Sequence, residues 1–354
     1  MNYGKQSINE ADIRAVESVL RSTHLTCGSK ITEFEEALAT YTGAKYAVVV
    51  SNGTAALHLL ALALRPPIVS VPDITFMATA NAWIHAGSKV KLVDVAGDQP
   101  MLLDTTYDEL VVPVHMAGFP VNLTFMKAPI IIEDACHALG ASWRNSVNNK
   151  LHKVGDCSHS KATVFSFHPV KPITTGEGGA ITTNDEALAT ELRQLRSHGI
   201  KDSNYTLHKL GLNYRMTDFQ AALGISQLSR LDQFIERRRD IAHKYDDAFM
   251  DLGIVGIKEL SHQQSGYHLY TLRIKDHHRD QFRLNLSHHG INTQIHYKPI
   301  HTIHKEQEGS PFPNANKWYA TTVSIPCYPD LTNDEVRDII NVVGNEVPPK
   351  NDTQ

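Results

Sequence analysis

Cysteine is scarce in this chain of 354 residues, and the four present, Cys27, Cys136, Cys157 and Cys327, stand far apart without metal-ligand spacing. That excludes a disulfide-stapled scaffold and a zinc module, and it suits a reducing compartment. Long apolar runs are missing too, so neither a signal peptide nor a transmembrane span is read, and a cytoplasmic location without membrane contact is expected. Basic charge is not in surplus. Lys and Arg number 34 against 38 Asp and Glu, a net charge of −4 with no concentrated basic tract, which argues against nucleic acid as the main partner. Internal repeats are absent, and so is the G-x-G-x-x-G spacing of a dinucleotide site. The run Gly176-Glu-Gly-Gly179 opens into a strand, not a helix, and reads as tight turning.

What is present gathers in three segments. Lys171 lies in Thr163-Val-Phe-Ser-Phe-His-Pro-Val-Lys171-Pro-Ile-Thr-Thr-Gly-Glu-Gly-Gly179, where an alternating apolar strand delivers one lysine ahead of a glycine-rich loop. Pro169 and Pro172 fix two φ angles around it while its side chain keeps its reach. A solvated loop lysine is the alternative. Tyr46-Ala-Val-Val-Val-Ser-Asn-Gly-Thr-Ala-Ala-Leu57 is a β-branched run that stops at Ser51-Asn52-Gly53-Thr54 and becomes a helix. Gly53 permits a tight turn, and the first-turn N–H groups with the Thr54 hydroxyl form an anion site that fits a phosphate. The same residues also read as an ordinary turn and cap. Pro129-Ile-Ile-Ile-Glu-Asp-Ala-Cys-His137 reads as a buried parallel strand ending in two carboxylates. Glu133, Asp134 and His137 then emerge where open α/β sheets bind ligands, unless Asp134 merely caps a helix. Together, a phosphate cup, a strand-end carboxylate and a constrained lysine match pyridoxal phosphate, which needs a helix end, a partner for its pyridinium nitrogen and an amine for the Schiff base.

With these segments the sequence resembles the DegT/DnrJ/EryC1/StrS sugar aminotransferases, within the fold-type I pyridoxal phosphate enzymes. The likeness runs from Tyr3-Gly-Lys-Gln-Ser-Ile through Ser324-Ile-Pro-Cys-Tyr-Pro329, with SFHPVKPITTGEGG its most specific stretch and EDACHALG, RSHGI and IHYKPIH in support. It implies that Lys171 is the Schiff-base lysine and proton shuttle, that Asp134 holds the pyridine nitrogen, and that His137 lies near the ring hydroxyl. It further implies that Phe76, in Thr75-Phe-Met-Ala-Thr-Ala-Asn81, stacks on the ring and that Ser166, Gly53, Thr54 and Ala55 bind the phosphate. Asn213, in Leu212-Asn-Tyr-Arg-Met-Thr-Asp218, would reach the phosphate of the neighbouring subunit, hence a homodimer with shared active sites. Tyr3, Thr26, Arg215, His296 and Tyr297 are implied as substrate contacts. The implied activity moves an amino group, from L-glutamate, to C4 of a UDP-linked 4-keto-6-deoxy sugar. Other nucleotide sugars (dTDP- or GDP-linked, or 3-keto) stay open. So do a sugar dehydratase, in whose relatives histidine replaces the lysine, and a non-catalytic sugar-binding homologue.

Twenty histidines, among them His277-His278, His288-His289 and the group His296, His301 and His304, raise the question of a metal. Neighbours at a helix end point in different directions, and no metal site is expected.

βα alternation over the first two-thirds, from a helix near Glu10–Leu20 to a strand at 180–183 and a helix at Glu186–Arg196, predicts a sheet layered by helices. The expected fold is α/β and aspartate-aminotransferase-like, with a large mixed-sheet domain over 1–240, a small C-terminal α+β domain over 241–347 and a disordered tail over 348–354. A long helix capped at Thr217 or Asp218, carrying Phe219, Ala222, Leu223, Leu228, Leu231 and Ile235 inward, would bridge the lobes. Arg237-Arg-Arg239 reads as a solvated face. Beyond it are expected strands at 267–274 and 291–296, a helix ending at Gly290 and a last helix around 334–343. Against the family pattern the chain is trimmed: Arg65-Pro-Pro67 leads straight into the next strand, and 103–110 and 122–127 are too short for full helices.

Overall fold

A computed structural model describes residues 1–97, 99–102, 106–107, 109–202, 204–250, 252, 254–274, 278–304 and 311–346. The expected tail at 348–354, parts of the trimmed 103–110 segment and His277 lie outside the described residues. In chain order the first strands are β1 (Tyr46–Val50), β2 (Ile68–Pro72), β3 (Lys89–Val93), β4 (Leu110–Val111), β5 (Ile130–Asp134), β6 (Ser142–Arg144), β7 (Leu151–Lys153), β8 (Ala162–Ser166) and β9 (Gly179–Thr183). Seven of them form one sheet in the order β1-β9-β8-β5-β4-β2-β3. Only β9 runs antiparallel to its neighbours, so the sheet is mixed. Such strands are buried on both faces, and Val48, Val49, Ile132, Val164 and Ile181 have no exposed surface.

The helices that position the site follow local rules. α1 (Glu10–Leu20) starts at Asn9, whose side chain accepts from Ala11 and Asp12 while Asp12 returns a bond to Asn9 N–H. α2 (Ser29–Thr42) borrows a distant cap: Asp218 accepts from Gly28 and Lys30 N–H at 2.8 and 3.2 Å. α3 (Gly53–Leu64) is apolar on nearly every side and buried from Ala55 to Ala61, as a helix pressed on a sheet must be. It ends at Arg65, in the left-handed region with φ 47°, and β2 follows at once. α4 (Ala78–His85) and α5 (Glu186–Arg196) add to the layers.

β1 is an edge strand, and its outer backbone groups are bonded by side chains. Glu35 of α2 accepts the Val49 N–H at 3.1 Å, while Arg193 and Arg196 of α5 donate to the carbonyls of Ala47 and Val49 at 3.0 and 2.6 Å. Both arginines also bind Glu35.

Three expectations need correction. The long bridging helix is two, α6 (Asp218–Leu228) and α7 (Leu231–Met250), parted where Arg230 turns to Asp12 and to the Ser7 carbonyl of the N-terminal segment. Thr217 and Gln220 share the cap of α6, and Phe219, Leu223 and Ile235 are only half-buried. The arginine run is not a solvated face. Arg238 is 1% exposed and donates to the carbonyls of Tyr267, His268 and Cys327, while Arg239 pairs with Glu259 at 2.6 Å. These irregular segments carry carbonyls without ladder partners, and α7 supplies the donors. Residues 291–296 form no strand but a single bridge, Gln294 to Ser324. Gln294 turns its side-chain oxygen onto the Ile295 N–H at 2.9 Å, which takes that backbone donor out of a ladder.

After α7 come β10 (Val255–Gly256), β11 (Gln263–Gln264), β12 (Tyr270–Arg273), α8 (Arg279–His288), α9 (Pro313–Thr321), β13 (Thr322–Ile325) and α10 (Asn333–Glu346). β10, β12 and β13 form a separate antiparallel sheet, whereas β11 pairs with β6 and so reaches back across the chain. Among the described residues no helix is long and apolar enough to cross a membrane.

Candidate active site

A cavity of about 700 Å³ opens at the carboxyl ends of β5 and β8, beneath the start of α3. Asn52 caps α3, its side chain accepting the Ala55 N–H at 2.8 Å, and the first-turn N–H groups of Gly53 and Thr54 have no intrahelical acceptor. The packing around Gly53 is tight enough that a side chain there would press on its neighbours. A Cβ there would meet Ser166 Cβ at 3.1 Å and Cys136 Sγ at 3.2 Å. Gly179, which opens β9, lies under the same turn, its would-be Cβ 2.6 Å from the Asn52 carbonyl carbon.

Lys171 sits on a loop pinned at its base, where Phe167 N–H donates to the Gly178 carbonyl at 2.8 Å and Thr175 N–H to the Phe167 carbonyl at 3.0 Å. The Lys171 side chain is half-buried and lines the cavity. Burial lowers its amine below the usual lysine value, with Cys136 and Asp134 opposing the shift.

Asp134 caps no helix. Its Oδ1 accepts the Cys136 N–H at 3.1 Å and its Oδ2 the Thr79 hydroxyl at 2.7 Å, with Thr75 Oγ1 2.7 Å beyond Thr79. The carboxylate lines the cavity and is 5% exposed. Strand alternation sends its neighbour Glu133 to the opposite face, away from the cavity. There Glu133 accepts from Thr163 and Ser160 and pairs with His115 Nε2 at 2.8 Å. Burial alone would raise the Glu133 carboxyl, but His115 and the hydroxyls outweigh it and hold it below the usual range.

His137 Nδ1 accepts the Ala117 N–H at 3.2 Å. Burial, with Lys171 and His296 adding to it, lowers the ring well below its ordinary value, so it is neutral and carries its proton on Nε2. That N–H faces the Tyr297 hydroxyl at 3.0 Å. Tyr297 in turn packs on the half-exposed Phe76 ring, 5.6 Å between centroids.

The cavity thus brings together Lys171, Asp134, His137, Phe76, Ser166, Gly53, Thr54, Ala55, Tyr3 and Tyr297. It does not gather every residue singled out in the sequence. Thr26 bridges to Thr217, Arg215 bonds Asn213 through its N–H, and Asn213 bridges to Ser197; none of the three lines the cavity, although Asn213 and Arg215 flank Tyr214, which does. His296 lies behind Tyr297, buried, its ring pushed down to about 3 by burial and by Lys171. Lining residues not foreseen include Asn52, Thr79, Cys136, Glu177, Tyr214 and Gln294. Thr79 had a signal, since it lies in the same Thr75–Asn81 segment as Phe76; Tyr214 and Gln294 had none.

The residues present fit pyridoxal phosphate. An anion cup, a carboxylate and an amine of lowered basicity face one cavity, and the cup is shaped by a glycine where a side chain would fill it. Fold and site define a pyridoxal phosphate-dependent aminotransferase of fold type I. The chain belongs to the DegT/DnrJ/EryC1/StrS aminotransferase family, whose model matches residues 6–344. It is 37% identical over 358 residues to the UDP-4-amino-4,6-dideoxy-N-acetyl-beta-L-altrosamine transaminase of Campylobacter jejuni subsp. jejuni serotype O:2, covering 94% of this chain and 93% of the relative. Among solved structures it is similar to Helicobacter pylori PseC, an aminotransferase involved in the biosynthesis of pseudoaminic acid, with TM-score 0.90, 29% identity and 98% of each chain covered. It is likewise similar to the PLP form of "Putative sugar aminotransferase Spr1654" from Streptococcus pneumoniae, with TM-score 0.89, 27% identity and 98% of each chain covered.

Proposed function

We propose that this enzyme transfers an amino group from L-glutamate to C4 of a UDP-linked 4-keto-6-deoxy N-acetylamino sugar, in a pathway leading to pseudaminic acid or a related polysaccharide sugar. The observation that carries the chemistry is the convergence of Lys171, Asp134 and the α3 phosphate cup on one cavity. The names borne by the Campylobacter and Helicobacter relatives support the substrate.

When bound, pyridoxal phosphate supplies the carbonyl that takes up the donor's amino group and the ring that holds the charge developing at the reacting carbon. The first-turn N–H groups of α3, the Thr54 hydroxyl and Ser166 hold its phosphate. Asp134, fixed by Thr79 and Cys136 N–H, would pair with the ring nitrogen and keep it protonated. With the cofactor bound, His137 would lie near the ring hydroxyl and Phe76 would cover the ring face. Lys171 Nζ anchors the cofactor and, made less basic by burial, moves the proton at the substrate carbon. Tyr3 and Tyr297 bound the sugar end of the cavity.

Residues 1–240 and 241–347 act as large and small lobes, and the chain works as a cytoplasmic homodimer in which Asn213 of each chain serves its neighbour's phosphate. Four free cysteines support the reducing compartment. The test is amination of a panel of enzymatically made nucleotide keto-sugars with the product's stereochemistry read by NMR. Turnover of a dTDP-, GDP- or 3-keto sugar in place of the UDP 4-keto substrate would overturn the substrate assignment.

A further inference from the structure

One polar cluster on the cavity wall takes no part in these roles. Tyr214 lines the cavity with Asn52, Gly53 and Leu57, and its carbonyl accepts the Ser51 N–H at 2.9 Å, which seats it beside the phosphate cup. Its hydroxyl lies 3.0 Å from Nδ1 of His58, a residue of α3 that is 7% exposed. His58 Nε2 lies 3.3 Å from Nδ1 of His85, in the exposed last turn of α4. The rings meet edge to face, with centroids 5.9 Å apart for His58 and Tyr214 and 4.9 Å for His58 and His85. A buried imidazole on an apolar helix is costly unless its nitrogens are bonded. Here one nitrogen is bonded toward the cavity and the other toward the surface.

A neutral imidazole donates through one nitrogen and accepts through the other, so the chain of bonds has two self-consistent directions. In one, Tyr214 donates to His58 Nδ1, His58 Nε2 donates to His85, and the hydroxyl shows the cavity only lone pairs. In the other, His85 Nδ1 donates to His58 Nε2, His58 Nδ1 donates to the Tyr214 oxygen, and the phenolic proton is free for the cavity. An anionic oxygen at the cup selects the second direction. Burial, and then the neighbouring His85, lowers His58 below its ordinary value, which keeps it in the neutral form that both directions require.

We propose that Tyr214 donates its O–H to a phosphate oxygen bound in the cavity, and that His58, backed by His85, is the positioning residue that holds the hydroxyl in its donating state. This rests on reading the start of α3 as a phosphate cup. The phosphate ester belongs to the cofactor or to the nucleotide sugar, and the chemistry is the same for both. The probes are pyridoxal phosphate titrated onto cofactor-free protein by its visible absorbance, pyridoxal without phosphate as the control, and UDP titrated calorimetrically onto cofactor-loaded protein. Tyr214→Phe and His58→Leu should each weaken one phosphate ligand by about tenfold or more and leave pyridoxal unchanged. The double variant should bind no more weakly than Tyr214→Phe alone. His58→Asn, whose amide nitrogen stands where Nδ1 does, should restore most of the loss. A loss for pyridoxal phosphate assigns the cofactor's ester, and a loss for UDP alone assigns the nucleotide's. No change for either ligand overturns the proposal, and additive losses in the double variant overturn the positioning role. Equal affinity of the wild-type chain for pyridoxal phosphate and pyridoxal would instead refute the phosphate cup itself, whatever Tyr214 does.

Discussion

Asp134→Asn separates the charge of the carboxylate from its shape. The side chain is 5% exposed, and its two oxygens accept from Cys136 N–H at 3.1 Å and Thr79 Oγ1 at 2.7 Å. Asparagine can keep the first bond through Oδ1. Its Nδ2 can donate to Thr79 Oγ1, whose own proton then turns to Thr75 Oγ1 at 2.7 Å. Both hydroxyl bonds are re-formed in the reversed sense and the buried Thr75 proton loses Thr79 as its acceptor, so the stability of the fold should fall by about 1–3 kcal/mol. What disappears is the negative charge that keeps the ring nitrogen protonated on the proposed assignment. Breaking a buried charge pair costs about 3–5 kcal/mol, and the same loss at the transition state slows the reaction by about two to four orders of magnitude. The assay is a single-turnover reaction with L-glutamate, followed by decay of the visible cofactor band, beside a thermal melt of the same sample. A cofactor-loaded variant within a few-fold of the wild-type rate refutes the assignment and leaves Asp134 shaping its loop. A grossly destabilised variant refutes the hydrogen-bond exchange.

Lys171→Ala and Lys171→Arg should abolish steady turnover while preserving the fold, and borohydride reduction of wild-type protein should fix the cofactor to Lys171; mass spectrometry placing the adduct on another lysine defeats this. Gly179→Ala puts a Cβ 2.6 Å from the Asn52 carbonyl carbon and 2.8 Å from Gly53 N, so the cup must shift. A stability loss of about 1–3 kcal/mol with weaker pyridoxal phosphate binding is expected, and an unchanged dissociation constant with an unchanged melt counts against the packing argument. Mixed Lys171→Ala and Asn213→Ala chains should regain activity, up to about a quarter of wild-type sites, because each heterodimer holds one site with both native residues. Exchange confirmed by native mass spectrometry without any gain would place both residues in the same subunit's site.

The sheet was legible where sequence signals act locally. Asn9 and Asp12 mark the start of α1, β-branched runs mark β1 and β5, and the prolines around Lys171 mark a constrained loop. The orientation of Glu133 was legible in principle, because adjacent strand residues face opposite sides, yet two carboxylates at a strand end invite a shared role. Long-range partners left no such trace. Arg238 lies in a run of charge that ordinarily faces water, and only the carbonyls of residues 267, 268 and 327 make its burial sensible. The break at Ser229-Arg230 lacks glycine or proline and is set by Asp12, more than two hundred positions earlier. Tyr214 belongs to the cavity only because Ser51 and His58 come to meet it.

The ion pairs along the outer side of β1 bear on how copies of this protein can meet. An open strand edge is a template for further strands, and proteins that stay soluble must blunt it. Here Glu35, Arg193 and Arg196 occupy the Val49 N–H and the carbonyls of Ala47 and Val49 from within the same chain. At this border those three groups are therefore no longer free to pair with another strand. Because β1 runs directly into the cup at Gly53, the same three residues also tie the cup's position to α2 and α5 of its own chain.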